Sequence, residues 1–433
     1  MIDPDRISHI GHRGVWGGTH PFGVCRSDRR QHLFLIGKSG VGKSTLLRNL
    51  ILGDIAAGEG IGLIDPHGDL AEEILDHLPP SRSRDVIYFN PSDLEYPIAF
   101  NILKNDGADS IHLLASSIVS AFKSIWRESW GPRLEHILYH TIAALGECPN
   151  SSILGVPRML LDERYRDWVV GQVRDPAVRS FWEGEFAGYD RRFIAEASSP
   201  ILNKVGRLIA SPVTRHILGQ VRRAVDLREV MDHRRIFIAN LAKGKIGEDK
   251  ANLLGALLVA QFQQAAMSRA NMPESQRADF FLFIDEFASF TSDSFASILA
   301  ENRKYRCGLT LSGQHLSQGS EEVRNAIIGN VGNIISFRVG ESDARVMQRE
   351  FGDGFNASQF TDLGNYEVRV KRLEQGRYAA PFHGMTLPPQ GQFRARREIL
   401  IKQSRQRYST PRAIVEERLR RWMDIDLLTR RRR

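Results

Sequence analysis

The stretch Gly37-Lys38-Ser39-Gly40-Val41-Gly42-Lys43-Ser44-Thr45 constrains this chain more than any other. It follows the apolar run Leu33-Phe34-Leu35-Ile36 and leads into Leu46-Leu47-Arg48-Asn49-Leu50, whose apolar spacing is helical. A strand, a glycine-rich turn and a helix in that order make the P-loop pattern. The glycines permit a tight turn whose backbone N–H groups converge on a phosphate. The helix N-terminus adds a field that favours an anion. By this pattern the loop cradles a nucleotide, Lys43 reaches the β- and γ-phosphates, and the Ser44 hydroxyl takes a position on Mg²⁺.

The surrounding rhythm supports an α/β fold. Apolar runs at Leu33 to Ile36, Ile61 to Ile64 and Val86 to Phe89 alternate with helical spacing, and Gly58-Glu59-Gly60 ends the helix after the P-loop. Such alternation indicates βαβ units and a parallel sheet. From about Asp109 to Arg234 the pattern turns helical, with Ile111, Leu114, Ala115, Ile118, Val119 and Phe122 on one stripe. A strand-like run resumes at Arg235 to Ile238, a long helix over about 249–269 follows it, and strand-like runs recur at Phe280 to Ile284, Leu309 to Ser312 and Ile334 to Phe337. The expected organisation is an irregular lead-in over 1–32 and a nucleotide-binding domain over 33–108 and 235–390. An all-α domain over 109–234 is inserted in it, and a basic extension spans 391–433.

Charge separates that extension from the rest. Residues 391–433 hold 14 Lys+Arg against 5 Asp+Glu, which leaves 45 against 46 of the chain's 59 and 51 for everything before. A neutral globular part with a strongly basic end points to an acidic partner, nucleic acid or an anionic membrane surface, or to a solubilising tail. No apolar run approaches the roughly 18 residues of a membrane span. The start lacks the basic and apolar regions of a secretory signal. Cys25, Cys148 and Cys307 lie far apart without metal-ligand spacing, so a reducing, cytoplasmic setting is expected.

Two further strand ends carry chemistry. Phe280-Phe281-Leu282-Phe283-Ile284-Asp285-Glu286 is an apolar strand ending in two acids, the Walker B arrangement. Asp285 would hold Mg²⁺ through water, and Glu286 would act as general base on the attacking water. Gln314, after Leu311-Ser312-Gly313, is placed to sense a γ-phosphate or orient water, or simply to solvate a strand end.

These motifs together resemble the VirD4/TraG-like coupling ATPases of type IV secretion, within the larger HerA/FtsK group of translocases. The resemblance runs from about Phe22-Gly23 to Leu387-Pro388-Pro389. Beyond the Walker runs it rests on Ile64-Asp65-Pro66-His67-Gly68-Asp69, Phe89-Asn90-Pro91-Ser92-Asp93, Trp130-Gly131-Pro132-Arg133, Asn302-Arg303-Lys304-Tyr305, Ser312-Gly313-Gln314-His315 and Asn330 to Arg338. It implies a RecA-like P-loop sheet with an inserted all-helical domain, ATP and Mg²⁺ as cofactors, and a hexameric ring with ATP between subunits. It also implies that Arg303 is an arginine finger acting in trans, that Asp65 lies near the nucleotide and that Gln314 is a sensor. Composition alone would read Arg303 as a surface arginine and Asp65 as a turn residue capping the next helix. Arg29 and Arg30 are further candidate trans-acting cations.

Many members of that family begin with two transmembrane helices, and this sequence shows none. The expectation is therefore a cytoplasmic form that reaches the inner membrane only through a partner, or one that acts away from a secretion channel. The activity so implied is ATP-driven movement of DNA, with relaxase or other secretion-machinery proteins as partners. Two alternatives stay open: a HerA-like motor for DNA-end processing or defence that works with a nuclease, and a nucleotide-switched receptor that does not translocate.

Overall fold

A computed structural model describes residues 5–104, 111–291 and 295–430. The expected domain boundary at 108–109, the first four residues and the terminal Arg431 to Arg433 lie outside the described residues. These fold into two compact units. One comprises the described residues of Met1–Tyr88, Leu227–Leu241 and Ala265–Ile401, and the other those of Phe89–Asp226, Ala242–Gln264 and Lys402–Arg433.

The first unit is built on a sheet with strands β1 (Ile7–Val15), β2 (Gly18–Cys25), β3 (Leu33–Ile36), β4 (Gly60–Asp65), β5 (Val86–Phe89), β6 (Ile236–Asn240), β7 (Phe280–Ile284), β8 (Cys307–Gly313), β9 (Asn333–Ser336), β10 (Glu367–Lys371) and β13 (Phe382–Thr386); β11 (Leu373–Glu374) and β12 (Arg377–Tyr378) form a separate hairpin. The sheet order is β2-β1-β13-β10-β9-β3-β8-β7-β4-β6-β5. From β9 to β6 the neighbours are parallel. Every residue of β3, β4, β6, β7, β8 and β9 is buried. That is the signature of strands covered on both faces, and it explains their unbroken apolar runs. All seven strands expected from those runs are present.

Four strands that were not expected extend the sheet on one side, and all pair antiparallel: β1 with β2 and β13, and β10 with β13 and β9. The stretch expected as an irregular lead-in therefore contains two long strands. Their glycines concealed them, since glycine weakens a strand read by propensity. Here the glycines make the pairing possible. A Cβ on Gly11 would lie 2.0 Å from the Met385 carbonyl oxygen, and one on Gly23 would lie 2.2 Å from that of Ser8.

Helix α1 (Arg26–Arg29) leads into β3, α2 (Lys43–Ala56) follows the P-loop, and α3 (Asp69–His77) follows β4. Leu47, Ile51 and Ile55 of α2, all fully buried, pack in one core with Leu35 of β3 and Leu63 of β4. Deleting one such side chain costs about 2–5 kcal/mol, so the P-loop helix is held firmly. At the far end of α2, buried Asp54 accepts from Arg29 at 2.7 Å. Glu59 and Asp279 are likewise buried and paired with Arg26.

In the second unit, residues 111–226 hold only helices and turns among the described residues, the longest being Ile111–Ile125, Pro132–Glu147 and Arg191–Ala210. The basic C-terminal stretch is helical too, over Arg397–Tyr408 and Arg412–Arg430. Much of its charge is paired within the chain. In the first unit Arg397 binds Asp76 at 2.5 Å. In the second, Arg405 binds Asp93 at 2.6 Å and Arg412 binds Glu416 at 2.8 Å. No helix of the described residues is long and apolar enough to cross a membrane.

Candidate functional site

The parallel strands β3, β8, β7 and β4 are consecutive in the sheet, and all end at the same edge. In open α/β sheets this carboxyl edge is where ligands bind. Four of the motifs found in the sequence stand there side by side: the P-loop after β3, Gln314 after β8, the acid pair after β7 and the Asp-Pro-His-Gly-Asp turn after β4.

The P-loop takes its shape from backbone conformations that favour glycine. Gly40 has φ 74° and Gly42 has φ 114°. A Cβ on Gly42 would also meet the Tyr366 ring at 2.7 Å, because the Tyr366 N–H donates to the Val41 carbonyl at 2.9 Å and holds the ring against the loop. Lys43 opens α2, and its ammonium donates to the carbonyls of Gly37 and Lys38 inside the loop, the latter at 2.8 Å. Burial lowers the Lys43 pKa, while the charges of Asp285 and Glu286 oppose that shift. Ser44 and Thr45 follow on the first turn.

A chain of hydrogen bonds crosses the strand ends in the order of the strands. The Ser39 hydroxyl donates to Gln314 Oε1 at 3.2 Å, and Gln314 Nε2 donates to Glu286 Oε1 at 3.0 Å. His67 Nε2 lies 2.9 Å from the same Glu286 oxygen. The Glu286 carboxylate is thus held from two sides. Its backbone is in the left-handed region, φ 45° and ψ 49°, a conformation that costs a non-glycine residue of order 1–3 kcal/mol. Its N–H donates to Asp285 Oδ1 at 3.0 Å. The sharp turn after β7 carries the two acids in succession at the strand end. Burial, together with the nearby charge of Asp65, raises the Asp285 pKa.

Lys43, Ser44, Asp285, Glu286, Gln314 and Tyr366 line a cavity of about 360 Å³, together with His67, Ser39 and Gly40. A carboxylate of raised pKa that lines the same cavity as a serine hydroxyl at the N-terminus of α2 suits a hard divalent cation, which favours oxygen ligands and would offset the cost of the buried charge. Ser44 and Asp285 are the residues that would hold it.

Asp65 is placed differently from the other candidates. It is buried, and its two oxygens accept from the N–H groups of His67 and Ala71, each at 2.9 Å. It shapes the turn that presents His67 and caps α3, and it does not line the cavity. The Asp65 pKa is raised by burial and lowered in part by these N–H bonds.

Arg303 is not brought to this cavity. It lies in the turn Asn302–Tyr305 before β8, and its Nη1 donates to Gln31 Oε1 at 3.1 Å, just before β3. Seven residues of β8 separate the two ends, about 23 Å at strand rise. Arg303 is therefore at the amino edge of the sheet and cannot reach its own P-loop. Arg29 and Arg30, the other candidate cations, are committed within the chain. Arg29 is buried on Asp54 with its guanidinium 4.0 Å over Phe281, and Arg30 pairs with Asp279 at 2.8 Å.

Two residues of the cavity had been given no role. His67 stood inside a motif noted only for its aspartates, and its neighbour Glu286 is over 200 positions away. Tyr366 carries no local signal; its place follows from the sheet order, in which β10 lies one strand beyond β9 from the P-loop strand β3.

No protein-family model matches the chain, and no curated protein matches it in sequence. Solved structures do. The bacterial conjugative coupling protein TrwBdeltaN70 superposes at a TM-score of 0.61, with 16% identity over 89% of this chain and 90% of that one. The plasmid coupling protein TrwB in complex with ADP and Mg²⁺ gives 0.62, with 15% identity over 87% and 90%. VirB4 of Thermoanaerobacter pseudethanolicus gives 0.55, with 12% identity over 90% and 97%. The chain thus has the RecA-like P-loop fold of the conjugative coupling protein TrwB and of VirB4, in line with the resemblance carried by its motifs.

Proposed function

We propose that this chain is an ATP-driven DNA translocase of the conjugative coupling-protein type. The observation that carries the reading is the chain of bonds from Ser39 through Gln314 to Glu286 and His67, set beside Lys43. It joins the P-loop to a positioned base, which is what hydrolysis of a bound nucleoside triphosphate requires. The fold shared with TrwB, known in complex with ADP and Mg²⁺, supports the choice of cofactors.

On this reading Gly37 to Thr45 cradle the phosphates, Lys43 neutralises the β- and γ-oxygens, and Ser44 with Asp285 holds Mg²⁺, which spreads the charge that develops on the phosphates. Glu286 takes the proton of the attacking water. Gln314, bonded at once to the P-loop serine and to the base, reports the γ-phosphate to Glu286. Asp65 acts through the turn that carries His67. Arg303, too far from its own site, serves a neighbour's, which requires a heterologous interface of the kind that closes into a ring, here a hexamer. DNA is contacted through its phosphates, by charge and without sequence readout.

A displacement assay tests movement. ATP-dependent removal of a third strand from duplex DNA, absent with Lys43→Ala protein, is the expected result. Hydrolysis of ATP without any displacement would reduce the chain to the nucleotide-switched receptor. Relaxase or nuclease partners, which divide the conjugative from the DNA-processing reading, are identified by co-purification from cells.

A further inference from the structure

The antiparallel side of the sheet carries a surface that the nucleotide site does not use. Strands β1 and β2 form a hairpin whose turn, Trp16-Gly17-Gly18, has φ 96° and 150° at its glycines. Trp16 at its tip is 104% exposed. The second hairpin, β11 and β12, packs beside β2, and its Tyr378 is 61% exposed. Both hairpins converge on one residue, Phe382: the Arg13 guanidinium lies 4.7 Å over its ring and that of Arg372 lies 5.7 Å from it. Arg372 also donates to the Gly23 carbonyl of β2, which ties the hairpins together.

The surface is net basic, although Glu374 of β11 pairs with Arg372 and stands opposite Arg377, and Glu350 pairs with Lys371. No Asp or Glu occurs between Ile7 and Cys25. Lys371 Nζ sits 5.0 Å over the Tyr378 ring, and Arg377 is exposed beside it. An exposed tryptophan has no stabilising role at a hairpin tip, and a surface of open aromatic faces set among cations has one evident chemical complement. Bases stack on such faces regardless of sequence, while the phosphates meet the cations. A duplex keeps its base faces hidden and offers only the second half of that match.

We propose that the two hairpins form a contact for single-stranded nucleic acid, with Trp16 and Tyr378 as stacking platforms and Arg13 and Arg377 as the phosphate-facing rim. The inference rests on the translocase reading and sharpens it, because it assigns the strand type held at this surface. It places the contact on the part of the sheet farthest in strand order from β6 and β5.

The test is fluorescence anisotropy with the full-length protein, using a labelled oligothymidylate and a labelled duplex of equal length at fixed salt. Each stacked base lost should cost about tenfold in affinity. Trp16→Ala with Tyr378→Ala should therefore weaken oligothymidylate binding by about 100-fold and leave the duplex within about twofold. Trp16→Phe should keep most of the single-strand affinity, and Arg377→Gln should flatten the slope of log affinity against log salt by about 0.7. Both aromatics are exposed, so folding is little affected, and nucleotide binding by the same proteins confirms it. Unchanged oligothymidylate binding by the double variant, or an equal loss on duplex, overturns the proposal alone. Absence of any DNA binding by the wild-type protein overturns the translocase reading, and this inference with it.

Discussion

Glu286 shows how much a single side chain depends on its neighbours. Its backbone is strained, and two bonds from other strand ends fix its carboxylate. Replacing it with Gln keeps the shape and removes the proposed base. ATP binding should survive while turnover falls by about 10²–10⁴-fold, read by steady-state ATPase and by nucleotide binding. Normal turnover in a folded Glu286→Gln protein would remove Glu286 from that role. His67 is a positioning residue for it. His67→Ala should lower kcat by about tenfold, the worth of one hydrogen bond to a charged group, with KM little changed. A raised KM at unchanged kcat would mean that His67 binds nucleotide directly.

His32 offers a test of the fold at the same scale. It is fully buried, with Nε2 2.9 Å from the Leu299 carbonyl and Nδ1 accepting the Leu309 N–H at 3.0 Å. The bond accepted at Nδ1 needs a neutral ring, and burial lowers its pKa from 6.5 to about 4. Between those values the unfolded chain binds a proton that the folded chain refuses. Stability from this group is therefore complete above about pH 6.5 and falls, by up to about 3 kcal/mol, as the pH drops towards 4. Urea unfolding of wild type and His32→Gln over that window should show a shallower dependence in the variant. Equal slopes would contradict the assignment.

At the level of elements, the parallel strands could be read from the chain because each is an apolar run buried on both faces, and the P-loop because glycine spacing and flanks agree. The site's outline followed, since Lys43 opens the helix after the P-loop and Asp285, Glu286 and Gln314 follow the ends of strands. What could not be read was lateral order. Nothing local says that β8 lies between β3 and β7, yet that order makes the bonded chain from Ser39 to His67. The glycine-bearing β1 and β2 were hidden for a related reason, as their value lies in close approach to Ser8 and Met385. The same sheet geometry bears on Arg303. The account expects Arg303→Ala to bind ATP yet lose most hydrolysis, and a mixture with Glu286→Gln protein to regain activity. Rescue requires mixed oligomers, which a pull-down verifies, and each variant should also be diluted into wild type. Confirmed mixing without rescue, with activity falling only in proportion to dilution, would refute action in trans.

For the whole molecule, the candidate nucleotide site at one edge of the sheet and the candidate finger at the other give the chain two different faces. Head-to-tail assembly brings such faces together, and closure of the series makes a ring. The basic C-terminal extension is folded as helices, with Arg397, Arg405 and Arg412 paired to acids of the chain. Its net charge therefore overstates what it can offer to an acidic partner. The central claim, that hydrolysis at Glu286 is coupled to DNA, is tested most directly by ATP turnover measured with and without DNA on wild-type and Glu286→Gln protein. The account predicts that DNA raises wild-type turnover several-fold and that the variant shows neither the basal rate nor the rise. Wild-type turnover that is indifferent to DNA of every length and strandedness would contradict it.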